Sequence, residues 1–360
     1  MISTNPGEVL LTKSVELCYN ESKKKGGGIV QKIELEQMNR EMTASSDAMA
    51  QADAAWLQTI EQAASSIRRN AQQQPIVLLS GPSGSGKTTT AFLIERFLDR
   101  WGVETHTISM DHFFCSLTPQ QRELAAAGKL DLESPARVDA PYLNTLLRQI
   151  AEGQPTWLPH YDFRTTTRCD KWRLLTRKPG ELLILEGIHA LNPEVVTLPE
   201  EMTERLYVSV RTRAADGETV LHPSRLRLLR RMLRDKNFRH RSVAETLAMF
   251  EHVQAGEHKY IAPYKKRASI SIDTFLPYEL GIYKTLLDGE LEAELSHEEA
   301  RYGELWKCFF KTLTIEARVN QKLQTSLIPL KYRDFMKEFQ NESLREDCEK
   351  CQNKETKQEY

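Results

Sequence analysis

The chain has few cysteines, no long apolar run and no secretory leader pattern. Six cysteines among 360 residues are too sparse for a scaffold built from disulfides, so we expect a reducing compartment, the cytoplasm. The longest apolar stretches, such as 76–79 and 182–185, are far shorter than the ~20 residues of a membrane helix. The N-terminus lacks the basic lead and the apolar region of a secretory signal.

The chain also lacks a charge of one dominant sign. Its 49 basic and 50 acidic residues leave a formal net charge of −1, which excludes a histone-like polycation and names no partner. Hydrophobic residues make up 40% of the sequence, and this share excludes a wholly disordered chain.

Composition divides the sequence into five parts. The start is polar and glycine-containing, and Trp56, Ile60 and Ile67 belong to an apolar stripe with helical spacing. Helical patterns return after the main domain, and charges crowd the end of the chain. We predict a flexible lead (1–30), a helical N-terminal extension (31–74), a main domain (75–285), a helical C-terminal extension (286–339) and a charged flexible tail (340–360).

Short apolar segments alternate with amphipathic helical segments within the main domain. This alternation predicts an α/β fold with a five-stranded, mainly parallel sheet and helices on both faces. About 70 residues separate the second and third strands, too many for a simple crossover, so we expect an inserted substrate-binding region there. The predicted strands are 76–80, 105–110, 182–186, 205–210 and 269–273.

Residues 81–88, GPSGSGKT, follow the first of these strands and precede a helical segment. Glycines at this spacing allow successive backbone N–H groups to wrap a polyphosphate, and a helix N-terminus adds partial positive charge. The pattern predicts a P-loop in which Lys87 reaches the β- and γ-phosphates and Thr88 ligates Mg²⁺. It indicates nucleotide binding without naming the reaction.

Two carboxylates follow the next two strands. Asp111 ends the second strand and Glu186 ends the third, and ligands bind at the carboxyl edge of such sheets. An acid at a strand end can instead cap a helix, but two of them beside a P-loop favour a role in catalysis. We predict Asp111 as the base for an acceptor hydroxyl and Glu186 as a ligand of Mg²⁺.

Residues 225–241 hold eight basic side chains and one acid, a local charge of +7. A solvated basic face, a nucleic-acid patch and a phosphate-binding lid each explain such a segment, and the neighbouring P-loop favours the lid.

Six motifs occur in order between residues 75 and 280. They are GPSGSGKTT, MDHFF, PHYDF with Arg168, LILEGIHALNP, RLLRRMLRD with RHR, and YIAPYKKRASISID. With these motifs the sequence resembles the uridine kinase and phosphoribulokinase family of P-loop kinases. Its motifs are most similar to those of the bacterial-type nucleoside kinase subgroup of that family. The resemblance implies a P-loop NTPase fold with a substrate-binding insertion and an arginine-rich lid, and ATP and Mg²⁺ as cofactors. Residues 1–70 and 285–360 lie outside it.

The resemblance also implies roles for particular residues. It implies that Asp111 is the base for a sugar 5′-hydroxyl and that Lys87 and Arg234 are also catalytic. It implies that Thr88 and Glu186 bind Mg²⁺. The implied ATP contacts are Gly81, Ser83, Gly84, Ser85, Gly86, Lys87, Thr88, Thr89, Arg231 and Arg239. The implied acceptor contacts are Phe114, Glu133, Tyr161, Phe163, Arg168 and Arg241.

Three positions depart from the pattern of uridine kinases. Thr166 stands where they carry a histidine that reads the pyrimidine, Met249 replaces a glutamine, and Phe114 replaces a tyrosine. Since fewer polar groups remain to read a nucleobase, we expect discrimination among bases to be weaker.

Our leading hypothesis is an ATP-dependent kinase acting on the primary hydroxyl of a nucleoside or nucleoside-like sugar. The alternatives are a kinase of a sugar phosphate or polyol, as phosphoribulokinase is, and a non-catalytic nucleotide-binding regulator. The expected partner is a small-molecule acceptor, with no membrane. Aromatic and arginine side chains lining a small pocket need no nucleic acid to explain them. The sequence leaves open whether the chain forms a homo-oligomer.

Overall fold

The computed structural model describes residues 31–126, 129–163, 165–239 and 241–295. The predicted flexible lead, the charged tail and most of the C-terminal extension lie outside the described residues. The described chain divides into two compact units. The first contains residues 31–59, 210–233 and 273–295, and the second contains residues 60–209 and 234–272. Among the described residues, no helix is both long enough and apolar enough to cross a bilayer.

The second unit is built on a five-stranded parallel sheet. Its strands are β2 (Ile76–Ser80), β3 (Thr105–Ser109), β6 (Leu182–Glu186), β7 (Thr203–Ser209) and β10 (Ile270–Asp273). The strand order is β10-β7-β2-β6-β3, so β2 lies at the centre between β7 and β6. All five residues of β2 and of β6 are buried, as expected for central strands of a parallel sheet covered by helices. The predicted α/β fold is confirmed, with strand ends shifted by no more than two residues.

The helices of this unit follow the strands. They are α3 (Lys87–Arg100), α4 (Pro119–Ala126), α5 (Ala140–Ala151) and α7 (Val243–Tyr260). Leu143, Leu147 and Ile150 of α5 pack into the core cluster that contains Leu183 and Leu185 of β6. Asp139 caps the N-terminus of α5, because its carboxylate accepts a hydrogen bond from the backbone N–H of Tyr142.

The long segment between β3 and β6 forms structure of its own. It contains α4, α5 and an antiparallel hairpin of β4 (Thr156–Asp162) and β5 (Thr167–Leu175). The register of this hairpin shifts between Leu158 and His160. The structure therefore places an inserted subdomain where the sequence predicted one, and its proposed use in substrate binding is taken up below.

The first unit holds a small sheet and the start of an arginine-rich helix. Strand β1 (Lys32–Glu34) runs parallel to β8 (Arg213–Asp216), which pairs antiparallel with β9 (Thr219–Val220). The predicted helical N-terminal extension (31–74) thus begins with a short strand, which the prediction did not include. The remaining helices are α1 (Leu35–Ala44), α2 (Ala48–Asn70), α6 (Pro223–Arg239) and α8 (Glu279–Leu295), of which α2 and α6 continue into the second unit. The apolar stripe of α2 is buried as predicted, at Met49, Trp56, Ile60, Ala63 and Ile67.

A buried ion pair lies inside the first unit. The guanidinium of Arg230 donates from Nε and Nη2 to the carboxylate of Glu279, at 2.8–3.0 Å, and also to the hydroxyl and carbonyl oxygens of Thr274. Arg227 and Arg231 are buried as well. The basic segment 225–241 is thus no solvated surface at these three positions, and Arg230 is neutralised within the fold.

Candidate active site

The loop of residues 81–86 connects the central strand β2 to α3 and has the backbone of a phosphate cradle. Gly84 and Gly86 have φ values of 74° and 91°, which glycine adopts without steric cost. A Cβ on Gly81 would lie 2.0 Å from the carbonyl oxygen of Val208, so a side chain cannot fit there. No side chain caps the N-terminus of α3 at Gly86. The first turn can therefore direct its N–H groups and its partial positive charge toward an anion.

Lys87 begins α3 and lies among acidic side chains. Its Nζ donates a hydrogen bond to the carbonyl oxygen of Pro82 at 3.3 Å. Burial lowers the pKa of Lys87, while the charges of Glu186, Asp111 and Glu133 act in the opposite direction. Three carboxylates predicted from different motifs thus lie close enough to Lys87 for their charges to interact with it.

Glu186 is the buried last residue of β6 and receives two hydroxyl groups. Its Oε1 accepts a hydrogen bond from Ser109 Oγ at 2.9 Å and from Thr88 Oγ1 at 3.3 Å. Burial raises the pKa of Glu186, and the charge of Lys87 opposes this shift. One carboxylate and two hydroxyls therefore meet at the carboxyl edge of adjacent strands. Hard oxygen donors of this kind suit Mg²⁺.

Asp111 lies in the short 3-10 helix Met110–Phe113 that follows β3. This helix approaches the end of β6 closely, because a Cβ on Gly187 would lie 2.4 Å from the Cβ of Met110. Strands β3 and β6 are neighbours in the sheet, with Ser109 opposite Glu186. The sheet therefore brings Asp111 and Glu186 to the same edge, as the sequence predicted.

Glu133 is held by contacts on two sides. On one side is Gly256 of α7, where an added Cβ would lie 2.4 Å from the Cβ of Glu133. On the other side is His189, whose Nε2 donates to the carbonyl oxygen of Glu133 at 2.9 Å. Burial lowers the pKa of His189 to about 4, so the ring is neutral at physiological pH. These contacts hold Glu133 close enough to Lys87 for their charges to interact.

Three aromatic residues from the inserted subdomain form one cluster. The ring centroids of Phe114, Tyr161 and Phe163 lie 5.2–6.3 Å apart in edge-to-face contacts. Phe163 remains 42% exposed, whereas Tyr161 is buried. The guanidinium carbon of Arg239 lies 5.0 Å from the ring centroid of Phe163. Phe163, predicted to bind the acceptor, is thus in contact with Arg239, predicted to bind ATP.

Arg168 is occupied by contacts with the protein. It donates from Nη2 to Asp139 at 3.1 Å and from Nε to Asp170 at 2.6 Å. Its guanidinium also lies 4.8 Å from the ring centroid of Tyr142. The two carboxylates neutralise this arginine, so its predicted contact with the acceptor stays a prediction.

The arginines of the predicted lid converge on one buried acid, Asp235. Arg234 pairs with this carboxylate at 2.7 Å and Arg239 at 3.7 Å. The backbone N–H of Arg241 donates to the carbonyl oxygen of Asp235 at 3.1 Å. Arg231 is buried in the first unit. Contact of these arginines with phosphate stays a prediction.

Some residues of the site were not identified from the sequence. Ser109 lies two positions before Asp111, but a hydroxyl near the end of a strand has no distinctive pattern. Asp235 appeared only as the single acid in a basic segment. Gly256 lies inside a helical pattern, where an isolated glycine indicates close packing, and this pattern could have drawn attention to it.

One known family model and several known proteins match this chain. Residues 76–277, more than half of the chain, match the model of the phosphoribulokinase / uridine kinase family. The uridine kinase of Staphylococcus epidermidis is 30% identical over 203 residues, which cover 56% of this chain and 87% of that protein. The uridine-cytidine kinase 2-B of Danio rerio is 29% identical over 210 residues, covering 56% and 74%.

Other matches cover a smaller part of the relative or have a lower sequence identity. The uridine-cytidine kinase-like 1 of Mus musculus is 31% identical over 196 residues, covering 54% of this chain, and the chain spans only 32% of it. A possible uridine kinase from Bacillus stearothermophilus has a TM-score of 0.40 at 18% identity, covering 60% of this chain and 98% of that one. On the family model and these identities, the chain is a kinase that belongs to the phosphoribulokinase / uridine kinase family.

Proposed function

We propose that the protein transfers the γ-phosphoryl group of ATP to the primary hydroxyl of a nucleoside or nucleoside-like sugar. The observation that carries this proposal is the meeting of Lys87, Thr88 and Glu186, with Asp111 beside them, at the carboxyl edge of the sheet. A nucleotide-binding regulator needs a phosphate cradle. It does not need a carboxylate next to the site of the γ-phosphate.

The residues present fit ATP and Mg²⁺. The loop 81–86 has two glycines with positive φ, and a third whose missing side chain leaves room for close backbone packing. Thr88 and Glu186 supply a hydroxyl and a carboxylate oxygen within 3.3 Å of each other, which suits a hard divalent cation. We propose that the loop N–H groups and Lys87 hold the β- and γ-phosphates, and that Thr88 and Glu186 hold the metal.

Bound Mg²⁺ would neutralise charge on the phosphates during transfer. Asp111 accepts the proton of the acceptor hydroxyl and aligns its oxygen with the γ-phosphorus, opposite the leaving oxygen of ADP. Lys87 donates hydrogen bonds to the transferred group and stabilises its negative charge. Arg234 is proposed to add a second positive charge at this point.

The acceptor is proposed to bind between Glu133 and the aromatic cluster of Phe114, Tyr161 and Phe163. Glu133 can accept hydrogen bonds from sugar hydroxyls, and aromatic faces can contact a planar base. Thr166 lies in the turn between β4 and β5 with a φ of 57°, and its carbonyl oxygen accepts a hydrogen bond from Leu117. Its short side chain offers no ring to read a base.

An acceptor screen tests the proposal. Purified protein with Mg·ATP is assayed for ADP release against uridine, cytidine, adenosine, guanosine, inosine, ribose and ribulose 5-phosphate. Acceptor-dependent release with at least one nucleoside supports the proposal. Release with sugars alone would refute the nucleoside assignment and keep the kinase. A lack of acceptor-dependent release across a panel extended to polyols would favour the regulator.

A further inference from the structure

Arg137 lies buried beside the aromatic cluster. It is 8% exposed and follows the turn that carries Glu133. Its Nη2 donates to the carbonyl oxygen of Cys115 at 3.1 Å and to the hydroxyl oxygen of Tyr161 at 3.4 Å. The guanidinium carbon is 5.8 Å from the ring centroid of Phe114. Arg137 is therefore in contact with two of the residues proposed to bind the acceptor.

This arginine differs from its neighbours in charge balance. Arg168 forms ion pairs with two carboxylates, and Arg239 forms one with Asp235. No acidic side chain in the described parts of the chain forms an ion pair with Arg137, whose partners are a carbonyl, a hydroxyl and a ring. Its Nε and Nη1 make no hydrogen bond to any described residue. The cation is thus held in place while three of its five N–H donors stay available.

A buried charge without a counter-charge is costly, and an anion removes that cost. The planar guanidinium matches the geometry of carboxylates and phosphates, to which it can donate two parallel hydrogen bonds. A neutral nucleobase would leave the charge of Arg137 unbalanced. Such a group is expected where the ligand itself carries negative charge.

We propose that Arg137 is a specificity-determining residue that binds an anionic group, a carboxylate or a phosphate, on the acceptor. This inference rests on the proposed kinase function and concerns the same acceptor site. Arg137 would favour acceptors that carry a negative charge, among sugars and nucleoside-like compounds with a free primary hydroxyl. The contact holds the acceptor and takes no part in proton transfer, which remains with Asp111.

Matched acceptor pairs test this inference in the full-length protein. Ribulose 5-phosphate is compared with ribulose, and ribonate with ribitol, so that one pair tests a phosphate and the other a carboxylate. We expect kcat/KM for the anionic member of at least one pair to exceed that of its neutral partner tenfold or more. The pair that shows the larger ratio identifies the anion.

Substitutions at Arg137 then assign the preference. Arg137→Gln should lower the ratio at least tenfold, mainly through the KM of the anionic acceptor, while the KM for ATP is unchanged. Arg137→Lys should retain part of the preference, because it keeps the charge and loses the planar fork. Arg148→Gln, an exposed arginine of α5, serves as the control and should leave the ratio unchanged.

The outcomes separate this inference from the proposed function. Equal use of neutral and anionic acceptors by the wild type would overturn the role of Arg137 and leave the kinase intact. Equal losses on both members of a pair in Arg137→Gln would show a merely structural role and overturn it too. A wild type that phosphorylates nothing would overturn both proposals. If neither variant folds, the wild-type ratio alone decides.

Discussion

At the scale of single residues, the site is defined by charges that the fold partly removes from water. Burial acts on Lys87 and Glu186 in opposite directions, lowering the pKa of the lysine and raising that of the carboxyl, and their mutual attraction opposes both shifts. Neither group suits the interior alone. Together they form a site whose donors and acceptors are ordered before any ligand binds, which is what phosphoryl transfer requires.

His112, next to Asp111 in the chain, makes the stability of the fold sensitive to acid. Burial, with smaller contributions from His160 and Arg173, lowers the pKa of His112 to about 3 from 6.5. The folded protein then binds this proton less readily than the unfolded chain. The associated stability is complete above about pH 6.5 and is lost as the pH falls toward 3, at about 1.4 kcal/mol per pH unit.

His112→Gln should therefore flatten the pH dependence of stability. The ring accepts a hydrogen bond at Nδ1 from the backbone N–H of Tyr161, and a glutamine oxygen can accept the same bond. Urea denaturation at several pH values between 6.5 and 5 should give a slope smaller by about 1.4 kcal/mol per pH unit than in the wild type. His258→Gln, at an exposed position of α7, is the control. Equal slopes in wild type and His112→Gln would contradict this account.

At the scale of elements, helix α7 positions the acceptor site through the absence of a side chain. Gly256→Ala would place a Cβ 2.4 Å from that of Glu133, so the loop carrying the carboxylate must move. We expect kcat/KM for the acceptor to fall about ten- to hundredfold, since small displacements of positioning groups are costly. The KM for ATP should stay unchanged. Gly289→Ala, where a Cβ would meet nothing within 4 Å, is the control and should keep wild-type kinetics.

The arginine-rich helix α6 combines a structural and a proposed functional part. Arg230 and Glu279 form a buried ion pair, with side-chain exposures of 9% and 1%. Glu279→Gln removes one charge and leaves the other uncompensated, which should cost about 3–5 kcal/mol in the free energy of unfolding. The double variant with Arg230→Met and Glu279→Leu should recover most of this loss.

Urea denaturation of these variants checks the assignment. Arg40→Gln removes a highly exposed ion pair with Glu36 and should barely shift the midpoint. A Glu279→Gln midpoint equal to that of Arg40→Gln would show that the buried pair contributes no more than a surface one.

At the scale of the whole molecule, the sequence predicted the features that depend on local pattern. The five strands, the P-loop and the two strand-end carboxylates Asp111 and Glu186 each follow from a short run of residues. The partners that meet from distant parts of the chain were not predicted. Arg230 and Glu279 are separated by 49 positions, and Thr88 and Glu186 by 98. Helical periodicity located the arginines of α6, yet only the fold shows that three of them are buried.

The sequence also did not predict the division into two units. Residues 210–233 interrupt the matched kinase region, yet they group with the N-terminal strand and helix α1. The pairing of β1 with β8 links segments about 180 residues apart, for which a three-residue strand gives no recognisable pattern.

The central claim is that Asp111 accepts a proton from an acceptor hydroxyl that receives the γ-phosphoryl group. The most direct measurement follows label from γ-labelled Mg·ATP onto the best acceptor, in the wild type and in Asp111→Asn. Asp99→Asn, at an exposed position near the far end of α3, serves as the control. Loss of a general base should slow transfer about 10²- to 10⁴-fold while ATP binding persists. Transfer by Asp111→Asn within a few-fold of the wild-type rate would contradict the account.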